Sequence, residues 1–246
     1  MTTPSNPELS VVIPIYNEAQ NLRSLLEELQ QQVVPLVPAL EVVMVDDAST
    51  DGTTQLLQQL LGRYPWLRVL RQLINCGHGS ALLVGYAAVR GKWVFQVDGD
   101  RQFDLADFAL LWNKRDAAIV VLGVRRERND PWVRRLGSWI LRAGLLWRFK
   151  TYLRDTNSPF RLIRRDWLVK KLALFETTTL VPNIAMALLA CREQVLFELS
   201  VQHFERTAGK SSLPVRQYLR FGLQAWHQLQ RLTLSFGLVS KRLWNG

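Results

Sequence analysis

The chain has 246 residues, 48% of them apolar, a net charge of +10 and only two cysteines. That length favours one large domain with a substantial core. Only Cys76 and Cys191 occur, without metal-type spacing, which favours reduced thiols in a cytoplasmic protein over a disulfide framework. No apolar run approaches the roughly 18 to 20 residues of a membrane span, the longest candidate being Ala117 to Val124. Residues 1–7 form a polar tail without a secretory core. The charge is polarised: residues 1–120 carry 9 Lys+Arg against 13 Asp+Glu, and residues 121–246 carry 22 against 8. A second half this basic meets something anionic, whether nucleic acid, a phosphorylated substrate or an acidic membrane surface.

Taken in order, Ser10 to Ile15 is an apolar run that ends in Tyr16-Asn17-Glu18. Leu22, Leu25, Leu26 and Leu29 follow at helical spacing, giving strand, loop and helix. Pro14 belongs in the last turn of that strand, since it removes a ladder donor. Glu41 to Val45 repeats the pattern and delivers Asp46 and Asp47. Ala48 to Gly52 then supplies turn and cap residues before Leu56, Leu57, Leu60 and Leu61. A third strand, Arg68 to Leu70, leads through Asn75-Cys76-Gly77-His78-Gly79-Ser80 into a small-residue helix, Ala81 to Val89. A fourth, Trp93 to Val97, delivers Asp98-Gly99-Asp100-Arg101-Gln102. Apolar runs alternating with helices predict an α/β domain whose mostly parallel sheet is covered on both faces. Ligands of such sheets sit beyond the carboxyl ends of the strands, where all these polar clusters arrive.

Asp98, Asp100 and Gln102 stand at i, i+2 and i+4. On an extended segment they share one side, and Gly99 lets a ligand approach the backbone. Oxygen ligands of this kind suit Mg²⁺ or Mn²⁺ holding substrate phosphates, although the same pattern also describes a solvated turn. Other phosphate motifs fail. Gly77-His78-Gly79-Ser80-Ala81-Leu82 lacks the third glycine of a dinucleotide fingerprint, and Phe204 replaces the first glycine of a P-loop ending at Gly209-Lys210-Ser211. His78, His203 and His227 form no zinc signature.

Six ordered motifs between about residues 9 and 212 resemble the family 2 inverting nucleotide-sugar glycosyltransferases of the GT-A fold, especially the polyprenyl-phosphate branch typified by dolichyl-phosphate mannose synthase. They are Val12-Ile13-Pro14-Ile15-Tyr16-Asn17-Glu18, Val45 to Thr53, Asn75-x-Gly77-x-Gly79-x-Ala81, Asp98-x-Asp100-x-Gln102, Asp155-x-x-Ser158-x-Phe160-Arg161-Leu162, and His203-Phe204-x-Arg206-x-x-Gly209-Lys210-Ser211. The resemblance implies that Pro14, Tyr16 and Glu18 frame the nucleotide of a UDP- or GDP-sugar, that Asp46 or preferably Asp47 contacts base or ribose, and that Gly77, Gly79 and Gly99 line the donor. It implies that Asp98, Asp100 and Gln102 hold Mg²⁺ or Mn²⁺ on the diphosphate, with Asp98, Asp100, Asp155 and Arg206 as the catalytic set. Arg125 and Arg206 would add positive charge, and with Arg134, Ser158 and Lys210 would receive the acceptor phosphate; a solvated basic face is the other reading of the arginines.

Where transferases acting on hydroxyls carry an acidic pair on a helix, this chain has Leu180 to Met186 without a carboxylate. A hydroxyl needs a base during attack, whereas a phosphate oxygen is already anionic. A polyprenyl phosphate acceptor is therefore expected, with Asp155 left as base, orienting residue or cap. The alternatives are a saccharide or glycolipid hydroxyl acceptor and, more distantly, a nucleic-acid-binding module.

From Pro131 to Arg154 there is no acidic residue, and Trp132, Val133, Leu136, Trp139, Ile140, Ala143 and Leu146 recur at helical spacing. Such a helix lies in bilayer headgroups or packs on the sheet with its arginines snorkelling. From Arg206 to Gly246 there are seven basic residues and none acidic. The expected organisation is a catalytic domain at 1–212 and a basic amphipathic segment at 213–246 that rests on the inner face of the membrane or docks on a membrane protein.

Overall fold

In the computed structural model the described residues are 6–126, 144, 152–176, 178–204, 222 and 224–231. Seven strands form one sheet: β1 (Leu9–Ile15), β2 (Leu40–Asp46), β3 (Leu67–Arg71), β4 (Trp93–Gln96), β5 (Val120–Arg125), β6 (Arg161–Arg164) and β7 (Leu196–Val201). Their order is β3-β2-β1-β4-β6-β5-β7. Six strands run one way. Only β6 is reversed, antiparallel to both β4 and β5. The helices are α1 (Leu22–Gln32), α2 (Thr53–Leu61), α3 (His78–Ala88), α4 (Phe108–Asn113), α5 (Arg165–Leu172) and α6 (Pro182–Arg192).

β1 and β2 are buried along their whole length, which is why their valines and isoleucines run without polar alternation. α1 buries the four leucines expected, Leu22, Leu25, Leu26 and Leu29. Each contributes about 1.5–3 kcal/mol by leaving water. α2 differs: Leu57 and Leu60 are buried, while Leu61 is exposed and Thr53 and Thr54 turn inward. The small residues of α3 serve close packing, because a Cβ on Gly85 would lie 2.5 Å from the Val12 side chain. Pro14 pairs with Val45 inside β1, beyond Val12, where the pairing with β4 stops.

Residues 224–231 are helical and bury Ala225 and Leu229 against α6 residues Ile184, Ala185 and Leu188. The Gln228 side chain accepts from the Leu180 N–H and donates to the Thr178 carbonyl. Part of the 213–246 segment is thus built into the fold. The helix expected over 131–150 lies outside the described residues, apart from Gly144. No helix among the described residues is long and apolar enough to cross a membrane.

Candidate active site

Strand order reverses between β1 and β4, since the chain steps from β1 to β2 and β3 on one side and returns to β4 on the other. A crevice at such a switch point, outside the carboxyl ends of the strands, is the ligand-binding position of open α/β sheets. Three non-glycine residues with left-handed backbones turn the chain here: Asn17 (φ 55°) after β1, Ala48 (φ 59°) after β2 and Arg101 (φ 57°) after β4. Such strained positions persist only where surrounding contacts hold them. Asn17 accepts from the Thr50 N–H, and Ser49 accepts from the Asn17 N–H, lacing the first two loops together.

The Asp98 to Gln102 stretch is a turn and not the extended segment expected, because Arg101 is left-handed and β4 has already ended at Gln96. The amide of Gln102 donates to the Phe204 carbonyl at 3.4 Å, and the Gln102 carbonyl accepts from the Phe204 N–H. Gln102 is thereby turned towards the segment after β7. Asp98 is different. Its Oδ1 is buried and accepts no hydrogen bond, and His78 Nε2 stands 3.8 Å away. His78 is the first residue of α3 and not a loop residue, so its side chain reaches Asp98 from the amino end of that helix. No group of three or more His, Cys, Asp or Glu side chains gathers around one position among the described residues. An unsatisfied carboxylate oxygen beside a second carboxylate, Asp100, suits a hard cation whose remaining positions are filled by water and substrate phosphate.

Gly99 has another role than the one expected: a Cβ there would meet the Ile15 side chain at 2.5 Å, so the glycine lets the end of β4 close on β1. Gly77 requires its φ of +88°, and a Cβ on Gly79 would lie 2.2 Å from the Thr179 carbonyl. The Gly79 face of α3 is therefore filled by the chain leading into α6. Pro14 is internal to β1, Tyr16 stands 47% exposed at its end, and Glu18 is buried, accepting from the Asn21 amide.

Asp46 and Asp47 are both buried. Asp46 accepts from the Ser49 N–H and the Thr54 hydroxyl; Asp47 accepts from the N–H groups of Cys76 and Gly77, each at 2.8 Å, and from Gln72. These carboxylates fix the loops after β2 and β3 and turn no face to solvent. Ser158 is also fully buried, and its hydroxyl accepts from the Phe160 N–H in a local turn. Arg125 grips Asp155 through two bonds, Nε to Oδ2 at 2.6 Å and Nη2 to Oδ1 at 2.8 Å. With Asp155 only 2% exposed and held by a guanidinium fork, the pair acts as one unit. Arg134, Arg206 and Lys210 lie outside the described residues.

The sequence reading gave no role to a buried polar layer beneath Asp98. Arg161 on β6, opposite Gln96 on β4, is 1% exposed and donates to the carbonyls of Ser158 and Asn183. Burial pulls its pKa down, while Tyr86, Asp155 and Asp98 pull it up. Tyr86 donates to Gln96 Oε1 at 2.6 Å, and burial pushes its phenol far up. Gln96 Nε2 and Asn183 Oδ1 are buried without partners. A charged residue within Phe160-Arg161-Leu162-Ile163 and an amide within Trp93 to Val97 were the available signals.

This sheet order, with its crevice and strand-end carboxylates, defines the GT-A nucleotide-diphospho-sugar transferase class. Solved structures agree in fold: a glucosyl-3-phosphoglycerate synthase from Mycobacterium tuberculosis in complex with Mn²⁺, UDP and glucosyl-3-phosphoglycerate matches at TM-score 0.65 and 16% identity, over 92% of this chain and 80% of that one. A mannosyltransferase from Pyrobaculum calidifontis in complex with GDP-Man and Mn²⁺ matches at TM-score 0.63 and 21% identity, over 95% and 66%. Residues 10–173 match the model of glycosyl transferase family 2, and the chain belongs to that family. Among curated relatives, the undecaprenyl-phosphate 4-deoxy-4-formamido-L-arabinose transferases of Edwardsiella ictaluri and Pseudomonas aeruginosa are each 31% identical, over 82% and 86% of this chain. The chain spans 62% of the length of both relatives.

Proposed function

We propose that this chain is an inverting glycosyltransferase that moves a sugar from a UDP- or GDP-sugar to a polyprenyl phosphate at the inner face of the membrane. The observation that carries the reading is the buried Oδ1 of Asp98 beyond the end of β4, which accepts no hydrogen bond and has His78, the first residue of α3, 3.8 Å away. A dianionic ligand alone would be repelled there, whereas a cation-bound diphosphate satisfies both the carboxylate and the helix.

Asp98 and Asp100 are the residues that would hold Mg²⁺ or Mn²⁺, with Gln102 fixing the turn between them and the segment after β7. When bound, the ion neutralises charge developing on the departing nucleotide diphosphate. The neighbours solved with Mn²⁺ and UDP or GDP-Man lend this assignment support. Tyr16, exposed at the end of β1, stacks on the base, and Pro14, Glu18 and Asp47 shape the walls around it. Gly77, Gly79 and Gly99 serve the same walls by allowing their backbones to close. The lipid phosphate attacks in line and needs no general base. Asp155 is engaged by both guanidinium bonds of Arg125. Arg125 with Asp155 orients the reaction side, and Arg134, Arg206 and Lys210 meet the acceptor phosphate. The basic segment 213–246, beyond the part packed on α6, contacts acidic lipid or a membrane protein. Nucleic acid is no partner in this reading.

The test is an assay with short-chain polyprenyl phosphate, a panel of UDP- and GDP-sugars and added Mn²⁺ or Mg²⁺. A mild-acid-labile glycosyl phosphate product with at least one donor is expected. An acid-resistant glycoside formed on an added saccharide instead would assign a hydroxyl acceptor, and no metal-dependent product with any donor would sink the reading.

A further inference from the structure

Arg161 is the largest fully enclosed side chain among the described residues. Nε and Nη2 both donate to the Ser158 carbonyl, and Nη1 donates to the Asn183 carbonyl at 2.9 Å. No carboxylate lies within ion-pair distance of it among the described residues. Enclosing a guanidinium without a direct counter-ion is costly, and a well-packed apolar side chain would cost less. What the guanidinium provides is a rigid planar fork that joins two backbone segments at fixed angles.

Those two segments flank β6, the strand next to β4 in the sheet. Ser158 lies three residues after Asp155, the partner of Arg125, and both side chains are buried. Asn183 lies in the first turn of α6, and the chain just before it, Thr179 and Leu180, presses its carbonyls on Gly79 next to His78 and hence next to Asp98. Arg161 also stands opposite Gln96, two residues before Asp98. It therefore sits between the strand that delivers Asp98 and the two segments on the far side of β4 from the β1–β3 loops.

We propose that Arg161 is a positioning residue that clamps the 155–158 segment and the amino end of α6 into the wall against which the acceptor phosphate is aligned, leaving nucleotide binding to the β1–β3 loops. This rests on the transferase reading above. A lysine at this position can hold one carbonyl but not two at set angles. Misplacement of about 1 Å in a reacting group lowers turnover roughly 100-fold, so the effect falls on kcat.

The experiment compares Arg161→Lys and Arg161→Met with the unaltered protein in three measurements: thermal shift with UDP or GDP plus Mn²⁺, steady-state transfer to short-chain polyprenyl phosphate, and hydrogen–deuterium exchange. The expected result is a nucleotide-induced shift and donor KM within about 2-fold of the unaltered protein. It also has kcat lower by about 10- to 100-fold in Arg161→Lys and lower still in Arg161→Met. Exchange is expected to rise at 153–160 and 181–186 while 9–47 is unchanged. If the methionine variant does not fold, the lysine variant decides. Unaltered kcat, unaltered exchange in the two clamped segments, or nucleotide binding lost in proportion to kcat would each overturn the proposal. Should the unaltered protein transfer no sugar to any lipid phosphate, the transferase reading falls, and exchange with nucleotide binding alone judges the clamp.

Discussion

At the amino edge of the sheet Glu41 is fully enclosed and both its oxygens are used. At the carboxyl edge one oxygen of Asp98 is enclosed and unused. Glu41 accepts from the Ser10 hydroxyl at 2.7 Å, from the Arg68 guanidinium at 2.6 Å, and from the backbone and guanidinium of Arg90. Ser10 in turn accepts from the Gly91 N–H, where a Cβ would lie 2.5 Å from the Ser10 nitrogen. A saturated carboxylate of this kind holds strands together. An unsaturated one costs stability unless something else arrives to satisfy it. Glu41 is thus committed to the fold, whereas Asp98 Oδ1 is left without a hydrogen bond at the edge where the proposed donor site lies.

The largest expected break in that comparison is chemical. Asp98→Asn should lower transfer by 10³-fold or more, about 4 kcal/mol of transition-state stabilisation, while the melting temperature without ligand stays the same or rises. The same variant should lose the Mn²⁺-dependent part of the stabilisation by nucleotide diphosphate, read by thermal shift. A variant that retains both would remove Asp98 from the site.

A steric break comes second. Gly79→Ala places a methyl group 2.2 Å from a backbone carbonyl that has no rotamer to escape into. Overpacking of this kind costs about 1–3 kcal/mol, and here it should fall at the upper end, near 3 kcal/mol in denaturant unfolding. Because Gly79 lies in the first turn of α3, next to His78 and so to Asp98, donor binding and transfer should both weaken. A neutral Gly79→Ala would show that the approach of α3 to the 179–180 carbonyls is loose.

How far the sequence spoke for each edge depends on whether the relevant signal was local. Leu22, Leu25, Leu26 and Leu29 declared α1 by spacing alone, and the strand-end clusters named the carboxyl edge because apolar runs end where the polar groups begin. Gln102 could not be placed in this way: its direction depends on Arg101 being left-handed and on Phe204, 102 residues away, offering a carbonyl. Asp46, Asp47 and Ser158 were expected at the ligand from the family resemblance of their motifs, and each is bonded to nearby backbone N–H groups. Which backbone N–H groups they would satisfy depends on loops that a single sequence leaves open. Arg161 and Gln96 were visible as polar intruders in apolar strands, but their pairing requires β6 to run antiparallel beside β4, a long-range fact. Glu41 was read only as the first residue of a strand, for the same reason.

The smallest effect, and the sharpest contrast with Asp98, concerns Glu41. Glu41→Gln keeps the shape and removes the charge that two arginines share. Arg68 and Arg90 are partly exposed and can rehydrate, so the loss should be about 1–2 kcal/mol near neutral pH, with nucleotide-dependent stabilisation unchanged. Burial pushes this carboxyl up, but the hydrogen bonds from Ser10, Arg90 and Arg68 outweigh it, and the folded-state pKa lies below the ordinary 4.5. A carboxyl held lower in the folded protein than in the unfolded chain releases its proton more readily when folded. Its contribution is therefore complete above the unfolded-state pKa and is lost as pH falls through the folded one. The stability gap between the unaltered protein and Glu41→Gln should thus be constant from pH 7 to about 5 and shrink below about 4.5. A gap that widens on acidification would reverse the sign and show that burial, not the bonded cluster, governs Glu41.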